Sequence, residues 1–183
     1  MIIGILDLQG AVAEHQQMLK QCQVASRLVK TPADLKDLAG LIIPGGESTA
    51  IKKLLIRENM LEPLKAMVAA GFPVFGTCAG LVLLTQTESL AGFDGEVVRN
   101  GFGRQKDSFE EDLTVLGFDS PFVGIFIRAP YLKSVGSKSQ VLAKTDDGRI
   151  VAAIQDNLLV TAFHPELTAD TRFHQLFIQA CVK

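Results

Sequence analysis

The chain has 183 residues, which is enough for one domain with a large hydrophobic core, and we expect a single domain over residues 1–183. Its formal net charge of −2 gives no sign of a basic surface, so we expect no nucleic-acid partner. Its three cysteines, Cys22, Cys78 and Cys181, are too few and too widely spaced for a disulfide framework or a zinc site, and they indicate a reducing compartment.

Two apolar segments resemble targeting or membrane-spanning sequences only at first sight. Residues 1–6 have no basic residue before them and lead into Asp7, which is not typical of a secretory signal peptide. Residues 66–85 carry no charge, but glycines and a proline divide them into the end of a helix, a strand and the start of another helix. We therefore expect a cytoplasmic protein without a membrane segment.

The first 85 residues alternate short apolar runs with segments of helical periodicity. The apolar runs predict buried strands at residues 2–8, 24–29, 41–43 and 74–75. The periodic segments predict helices at residues 11–22, 48–57 and 61–70, with Ser48 as an N-cap, and a short helix after Thr31. Such alternation requires crossover connections. The sequence therefore predicts an α/β fold of three layers, a doubly wound, mostly parallel sheet of flavodoxin-like type with helices on both faces.

The remainder of the chain is less regular. Residues 92–103 are rich in glycine and polar side chains and predict strand ends and loops. Strands are predicted at residues 122–127, 141–144, 150–155 and 158–163, hairpin turns at 146–148 and 156–157, and a last helix at 168–181. The stretch from Asn100 does not match the dinucleotide-binding glycine pattern and lacks a strand–helix frame, so we expect no nucleotide cofactor, and no other cofactor or metal.

A nucleophile elbow is predicted where the strand at 74–75 turns into the next helix. Cys78 stands at the centre of this turn, with Gly76 and Gly80 two residues to either side. The pattern is that of a glycine-flanked nucleophile, with cysteine in place of serine. The positive end of the following helix dipole favours a thiolate. The alternative is a buried structural cysteine beside a glycine-rich turn.

A thiolate nucleophile requires a base, and the chain contains three histidines. His164 follows a predicted strand directly, which places it at the same sheet edge as Cys78. Glu166 lies two residues further on and can orient the imidazole while the other ring nitrogen faces the thiol. His15 and His174 fall within predicted helices, and we expect them to be structural or exposed.

A second glycine-rich loop, residues 44–48, links a predicted strand to a helix. Its backbone N–H groups are suited to an anion, and with the N–H of Ala79 one of them could form an oxyanion hole. A phosphate cradle is a second interpretation, although the loop lacks the lysine of a P-loop. A tight turn that caps the helix is the third.

Taken together, these motifs resemble the class I, triad-type glutamine amidotransferases. The motifs that carry this resemblance are Pro44-Gly-Gly-Glu-Ser-Thr, Gly76-Thr-Cys-Ala-Gly-Leu and Phe163-His-Pro-Glu. Narrower signatures are similar to the glutaminase subunits of pyridoxal 5′-phosphate synthases: Leu8-Gln-Gly-Ala-Val-x-Glu-His15, Arg99-Asn-x-Phe-Gly-Arg-Gln-x-x-Ser-Phe-Glu110, Phe126-Ile-Arg-Ala-Pro130 and Ala162-Phe-His-Pro-Glu-Leu-Thr168. The resemblance covers essentially the whole chain. Asp7 and Gly101 depart slightly from the pattern, and neither carries a predicted role.

The resemblance implies a site and a reaction. It implies that Cys78 is the nucleophile and that His164 and Glu166 complete a catalytic triad. It implies an oxyanion hole at Gly46 and Ala79. The residues it implies for glutamine binding are Gly46, Glu47, Ser48, Arg104, Ile127 and Arg128. An arginine suits the carboxylate of a free amino acid and Glu47 suits its ammonium, although the two arginines could equally form structural ion pairs.

The resemblance also implies a partner, because ammonia from L-glutamine is useful only where it is delivered. That partner is a (β/α)8-barrel synthase subunit that builds pyridoxal 5′-phosphate within a large hetero-oligomer. We expect the turn at residues 8–15 to lie near the interface and to help form the oxyanion hole when the subunits dock.

Three other functions fit parts of the pattern. One is a glutaminase that serves a different amidotransferase synthase. Another is an elbow-cysteine peptidase or chaperone, although those proteins usually carry the histidine directly after the cysteine, where this chain has Ala79. The third is a binding module that kept the fold without catalysis, which the presence of Cys78, His164 and Glu166 disfavours.

Overall fold

The computed structural model describes residues 1–103 and 107–182. Its helices are α1 (Val12–Gln21), α2 (Ser48–Arg57), α3 (Leu61–Ala69), α4 (Ala79–Thr85) and α5 (Arg172–Cys181), with 3₁₀ turns at Pro32–Leu35 and Pro165–Leu167. Its strands are β1 (Ile2–Leu6), β2 (Ala25–Val29), β3 (Gly40–Ile43), β4 (Val74–Thr77), β5 (Gly95–Val98), β6 (Ser108–Leu113), β7 (Phe122–Ile127), β8 (Tyr131–Val135), β9 (Ser139–Lys144), β10 (Ile150–Gln155) and β11 (Leu158–Thr161).

Five parallel strands form one half of the main sheet, in the order β2-β1-β3-β4-β11. This order is the flavodoxin-like one, with the strand order reversing beside β1. All five strands are short, and all are largely apolar except β2, which contains Ser26 and Arg27. The strands β3, β4 and β11 are buried on both faces. The predicted α/β fold is confirmed.

Antiparallel strands extend the sheet from β11 through β10 and β8 to β5, and β9 also pairs with β10. The hairpins predicted around β10 are therefore present. A separate ribbon is formed by β6 and β7. The sequence reasoning did not predict β6 and β8, and it placed only strand ends in the segment that holds β5.

Helices cover both faces of the parallel half. The crossovers β1-α1-β2 and β3-α2-α3-β4 run in opposite directions along the sheet, and right-handed connections then place their helices on opposite faces. On the first face α1 packs with α5, where His174 and Phe177 of α5 contact Phe75 of β4. On the other face α4 packs with α2.

A cluster of aromatic rings joins the β6–β7 ribbon and α5 to the parallel half of the main sheet. Phe122 of β7 meets Phe173 of α5 edge to face at 4.8 Å, and both rings contact Phe163 directly after β11. All three side chains are fully buried, so the ribbon and α5 are held against the end of β11 by apolar burial and by aromatic contacts.

Most element boundaries lie within two residues of those predicted, but the last helix begins at Arg172 and not at residue 168. It is preceded by a 3₁₀ turn over residues 165–167. The uncharged stretch 66–85 contains the end of α3, all of β4 and all of α4. Among residues 1–103 and 107–182, no helix combines the length and the apolar character that crossing a membrane requires.

Candidate active site

Cys78 lies at the bend between β4 and α4 with φ +47° and ψ −96°. Non-glycine residues rarely adopt positive φ, and where they do the strain often marks a functional site. The backbone N–H of Cys78 donates to the carbonyl of Thr161 in β11 at 2.8 Å, which holds the bend against the neighbouring strand. The predicted elbow is confirmed in its geometry.

The flanking glycines allow strand and helix to approach closely. A Cβ on Gly76 would lie 2.6 Å from the carbonyl carbon of Gly80, and a Cβ on Gly80 would overlap the carbonyl oxygen of Ile43. Real Cβ contacts are not this short, so each position requires glycine. The requirement comes from close packing, because neither glycine has a positive φ.

His164 and Glu166 follow β11, and β11 pairs with β4 so that Thr161 is the register partner of Thr77. The two strands therefore deliver Cys78 and His164 to one edge of the sheet. His164 Nδ1 lies 2.7 Å from Glu166 Oε1, and the side chain of Glu166 is completely buried. The backbone N–H of His164 donates to the carbonyl of Ile125 at 2.8 Å, which fixes the backbone of the turn.

The imidazole of His164 is strongly basic. Burial opposes its charged form, but hydrogen bonds and charge interactions with Cys78 and Glu166 outweigh that effect and raise the pKa of His164 to about 10. The ring therefore stays protonated at neutral pH when both partners are in place. A protonated ring can stabilise a thiolate and later donate a proton to a leaving group.

The loop at residues 44–48 contacts the turn after β1. Ala11 donates its N–H to the carbonyl of Gly45 at 3.1 Å, and Glu47 donates its N–H to Gln9 Oε1 at 2.9 Å. In a trans peptide the C=O and the N–H point in opposite directions, so the N–H of Gly46 points away from Ala11.

These elements enclose a cavity of about 480 Å³. The predicted nucleophile and base line it together with the described residues that were predicted for substrate and oxyanion: Cys78, His164, Gly46, Ala79, Glu47, Ser48, Ile127 and Arg128. A groove of about 580 Å³ also lies along α1 and β2, but its lining contains no cysteine, histidine or carboxylate. The cavity at Cys78 is therefore the candidate active site.

Glu47, and not Ser48 as predicted, is the N-cap of α2. Its carboxylate accepts hydrogen bonds from the N–H groups of Thr49 at 3.0 Å and Ala50 at 2.7 Å. Each carboxylate oxygen accepts from one N–H group, and Ser48 already lies inside the first helical turn. The bond from Thr49 in particular keeps the pKa of Glu47 below its usual range, so the cavity holds an anion at its rim.

Arg128 lies directly after β7 with φ +42°, and its N–H donates to the carbonyl of Asp107 at 2.6 Å. Its side chain is exposed, as is that of Ile127, and both face the cavity. Arg104, which was also predicted to bind substrate, lies outside the described residues.

The sequence reasoning missed two groups near the site. Arg99 and Asn100 follow β5 and line the cavity, and Arg99 lies 3.8 Å from the Glu47 carboxylate. They were missed as site residues because β5 itself was not recognised.

His15 and His174 are completely buried. Of the two roles expected for them, the exposed one is therefore wrong and the structural one remains. The placement of His15 on the apolar side of α1 was the available signal.

Comparisons with known proteins agree with this geometry. Residues 5–183 match the SNO glutamine amidotransferase family. The chain is 52% identical over 186 residues to a protein of Listeria welshimeri named pyridoxal 5′-phosphate synthase subunit PdxT, with 98% of each chain covered. It is 49% identical to the protein of the same name from Bacillus licheniformis, with 99% of this chain and 95% of the relative covered.

A solved structure described as a glutamine amidotransferase superimposes with a TM-score of 0.92 at 38% identity, and both chains are covered completely. The resemblance seen in the motifs is thereby confirmed over nearly the full length. The chain belongs to the SNO glutamine amidotransferase family.

Proposed function

We propose that the chain acts as one glutaminase domain over residues 1–183, which hydrolyses L-glutamine to L-glutamate and ammonia for a pyridoxal 5′-phosphate synthase. The observation that carries the proposal is the strained Cys78, which shares a cavity with His164 while Glu166 holds the far side of the imidazole at 2.7 Å. This arrangement meets the requirements for covalent catalysis by a thiol.

In the first step the Cys78 thiolate attacks the side-chain amide carbon of glutamine. Negative charge then develops on the amide oxygen. The N–H groups of Gly46 and Ala79 stabilise it, since both residues line the cavity and the N–H of Ala79 is the first of α4, without an acceptor inside the helix.

In the second step the protonated His164 gives its proton to the departing ammonia, and a glutamyl thioester remains on Cys78. Water then attacks the thioester carbonyl while His164 accepts a proton, and glutamate and the free thiol are released. Glu166 keeps the imidazole in one orientation and stabilises its charged form through both steps.

The amino acid end of glutamine binds at the rim of the cavity. Arg128 is exposed at this rim and supplies a fork of donors for the α-carboxylate. Glu47 supplies negative charge for the ammonium, and its two bonds to α2 fix the position of that charge. Gly46, Ser48 and Ile127 complete the wall, and Arg104 is proposed as a further ligand on the sequence motif alone.

The partner is proposed to be a (β/α)8-barrel synthase subunit in a large hetero-oligomer, and the proposed location is the cytoplasm. Support comes from the relatives, whose names describe them as subunits of a pyridoxal 5′-phosphate synthase. The turn at Gln9 contacts both Gly45 and Glu47, so a partner that moves this turn would also move the oxyanion loop.

The direct test measures ammonia release from glutamine by the purified chain, alone and mixed with a pyridoxal 5′-phosphate synthase barrel subunit. We expect little release by the chain alone and a large increase on mixing. Ammonia release by neither sample would refute the glutaminase. Equal rates with and without the barrel subunit would refute the proposed partner but leave the hydrolysis intact.

A further inference from the structure

Two fully buried histidines lie behind the carboxylate of the proposed triad. His15 of α1 has its Nε2 3.5 Å from Glu166 Oε2 and 3.2 Å from Thr77 Oγ1. Its Nδ1 lies 2.9 Å from Nε2 of His174 in α5. In the described part of the chain, neither Glu166 Oε2 nor His174 Nδ1 makes a hydrogen bond of ordinary length. The proposed mechanism uses neither histidine.

Both rings are neutral. Burial foremost, and then the charges of His174 and His164, hold the pKa of His15 well below its usual range. Burial lowers the pKa of His174 to about 4. Each ring therefore carries one N–H proton at neutral pH. The contact between the two rings allows two arrangements of these protons, which differ in the ring that donates the hydrogen bond.

In one arrangement His15 donates from Nδ1 to His174. His174 would then carry its proton on Nδ1, where it has no acceptor among the described residues. The bare Nε2 of His15 would face Glu166 Oε2, and a buried carboxylate oxygen would lack a donor. Orphaned buried N–H groups and unpaired buried charges are both costly, so this arrangement is disfavoured.

In the other arrangement His174 donates from Nε2 to Nδ1 of His15, and His15 carries its proton on Nε2. That N–H has Thr77 Oγ1 at 3.2 Å and Glu166 Oε2 at 3.5 Å, so the carboxylate oxygen has a donor within reach. Only an acceptor, Nδ1 of His174, stays without a partner among the described residues. We infer that His15 is a positioning residue: its Nε2–H, fixed in that tautomer by His174, holds the second oxygen of Glu166 so that the first faces His164.

This inference rests on the proposed function, because it assigns His15 to the same triad. The separation of 3.5 Å is longer than an ordinary hydrogen bond, and such contacts often shorten when the substrate is bound. A glutamate carboxylate held at one oxygen alone can rotate about its Cγ–Cδ bond. Held at both oxygens, it keeps the imidazole of His164 aimed at Cys78.

The position of His15 also connects the triad with the oxyanion loop. His15 follows Ala11 by one helical turn, and Ala11 holds the carbonyl of Gly45. Gly45 itself packs against the imidazole of His164, since a Cβ there would overlap the ring. A shift of α1 therefore reaches the proposed oxyanion hole and the carboxylate of the triad together.

The tautomers can be read directly by NMR of the chain labelled with ¹⁵N-histidine, because the sequence contains three histidines and the spectrum is simple. At pH 7 we expect His15 and His174 as neutral rings protonated on Nε2. His164 should appear with both nitrogens protonated. A proton on Nδ1 of His15 would overturn the inference, whatever the activity.

Kinetics of the complex with the synthase subunit supply the second test. His15→Leu removes the donor and should lower kcat about 10- to 100-fold with little change in KM, as expected for a lost bond to a charged group outside the cavity. His15→Gln places an amide N–H near the same point and should restore kcat to within about threefold. Equal losses in both variants would refute the role.

A matched control separates positioning from stability. Leu19→Ala removes a fully buried side chain one turn further along α1. It should lower the melting temperature at least as much as His15→Leu but leave kcat unchanged below that temperature. If Leu19→Ala lowered kcat equally, His15 would be merely structural. A wild-type complex that released no ammonia would refute the proposed function and leave the NMR test to decide the tautomer.

Discussion

The parallel and antiparallel halves of the sheet differ in the residues that stand after their strands. Four strands of the parallel half are each followed by a residue that lines the cavity. These residues are Gln9 after β1, Gly45 after β3, Cys78 after β4 and His164 after β11. Parallel strands end at the same edge, so four separate turns meet there without any bend in the sheet. In the parallel half, the residues of the candidate site are therefore brought together by the order and direction of the strands.

The antiparallel half, taken together with the separate β6–β7 ribbon, supplies a wall of the cavity, and among its described residues no cysteine or histidine lines the cavity. Arg99 follows β5, and Ile127 and Arg128 end and follow β7. Antiparallel strands alternate in direction, so only some of their ends reach the cavity. In the proposed mechanism the catalytic groups lie on the parallel side, and recognition of the amino acid is shared between Glu47 on that side and Arg128 on the other. Substitutions of the triad should therefore change kcat, and substitution of Arg128 should change KM.

The largest effect is expected from Cys78→Ala. Removing the nucleophile should lower the ammonia release of the complex by roughly 10³-fold or more, with glutamine binding retained. The rate is measured by ammonia release, and binding by calorimetry with glutamine.

Cys181→Ala is the matched control, because Cys181 packs against Gly40 at the opposite end of β3 from the cavity. It should keep the wild-type rate. Normal turnover by Cys78→Ala would mean that the parallel half does not supply the nucleophile, and the division between the halves would be lost.

Glu166→Gln is expected to have the second largest effect. Burial opposes the charged form of His164, and the Glu166 carboxylate is one of the groups that nevertheless raise its pKa to about 10. Loss of the carboxylate lowers that pKa, so the protonated ring disappears at a lower pH. We expect a drop in kcat of about 100-fold and an alkaline limb of the pH–rate profile shifted to lower pH.

The same shift has a consequence for stability. Because the folded pKa of His164 is raised, its protonation stabilises the wild-type fold fully below about pH 6.5, and this contribution is lost as the pH rises through about 10. In Glu166→Gln the contribution should be smaller and its loss should be complete at a lower pH, which denaturant unfolding at several pH values would detect. An unchanged alkaline limb would show that Glu166 does not tune the base.

The parallel half could be predicted from the sequence because its strands, apart from β2 with Ser26 and Arg27, are short, continuous apolar runs. The antiparallel strands could not all be predicted from the sequence, because some of them lack a clear apolar pattern. In β6, the sequence Ser-Phe-Glu-Glu-Asp-Leu buries fully only its last residue, Leu113, so charged side chains mask the strand pattern. In β8 only Leu132 is fully buried, and its partner strand β5 has an irregular register between Glu96 and Val97.

The residues of the site also fall into those that the sequence could place and those that it could not. Cys78 and His164 could be placed together because both follow strands, whereas the contact of His15 with Glu166 depends on how α1, α5 and the 3₁₀ turn after His164 pack together. Periodicity can show that a histidine is buried. It carries no information about which side chain meets it from another element.

Arg128→Gln tests recognition by the antiparallel half. Losing a charged donor to the glutamine carboxylate should raise KM about 10- to 100-fold and leave kcat nearly unchanged. Steady-state kinetics of the complex over a wide range of glutamine concentrations would separate the two parameters. Arg57→Ala, at an exposed pair with Glu58 outside the cavity lining, is the control and should alter neither. A fall in kcat without a rise in KM would place Arg128 with the catalyst.

The smallest effect is expected within the antiparallel half but away from the cavity. Lys133 of β8 lies 3.1 Å from Glu96 of β5, and both side chains are more than half exposed. Exposed pairs contribute about 0–1 kcal/mol, so Lys133→Ala should change the free energy of unfolding by less than about 1 kcal/mol and leave kcat and KM unchanged. Its buried neighbour Leu132 provides the contrast, because Leu132→Ala should cost about 2–5 kcal/mol. Urea unfolding of both variants measures the difference. If Lys133→Ala changed KM, the wall of the site would depend on the edge of the sheet, and recognition would extend through the antiparallel strands beyond the residues that line the cavity.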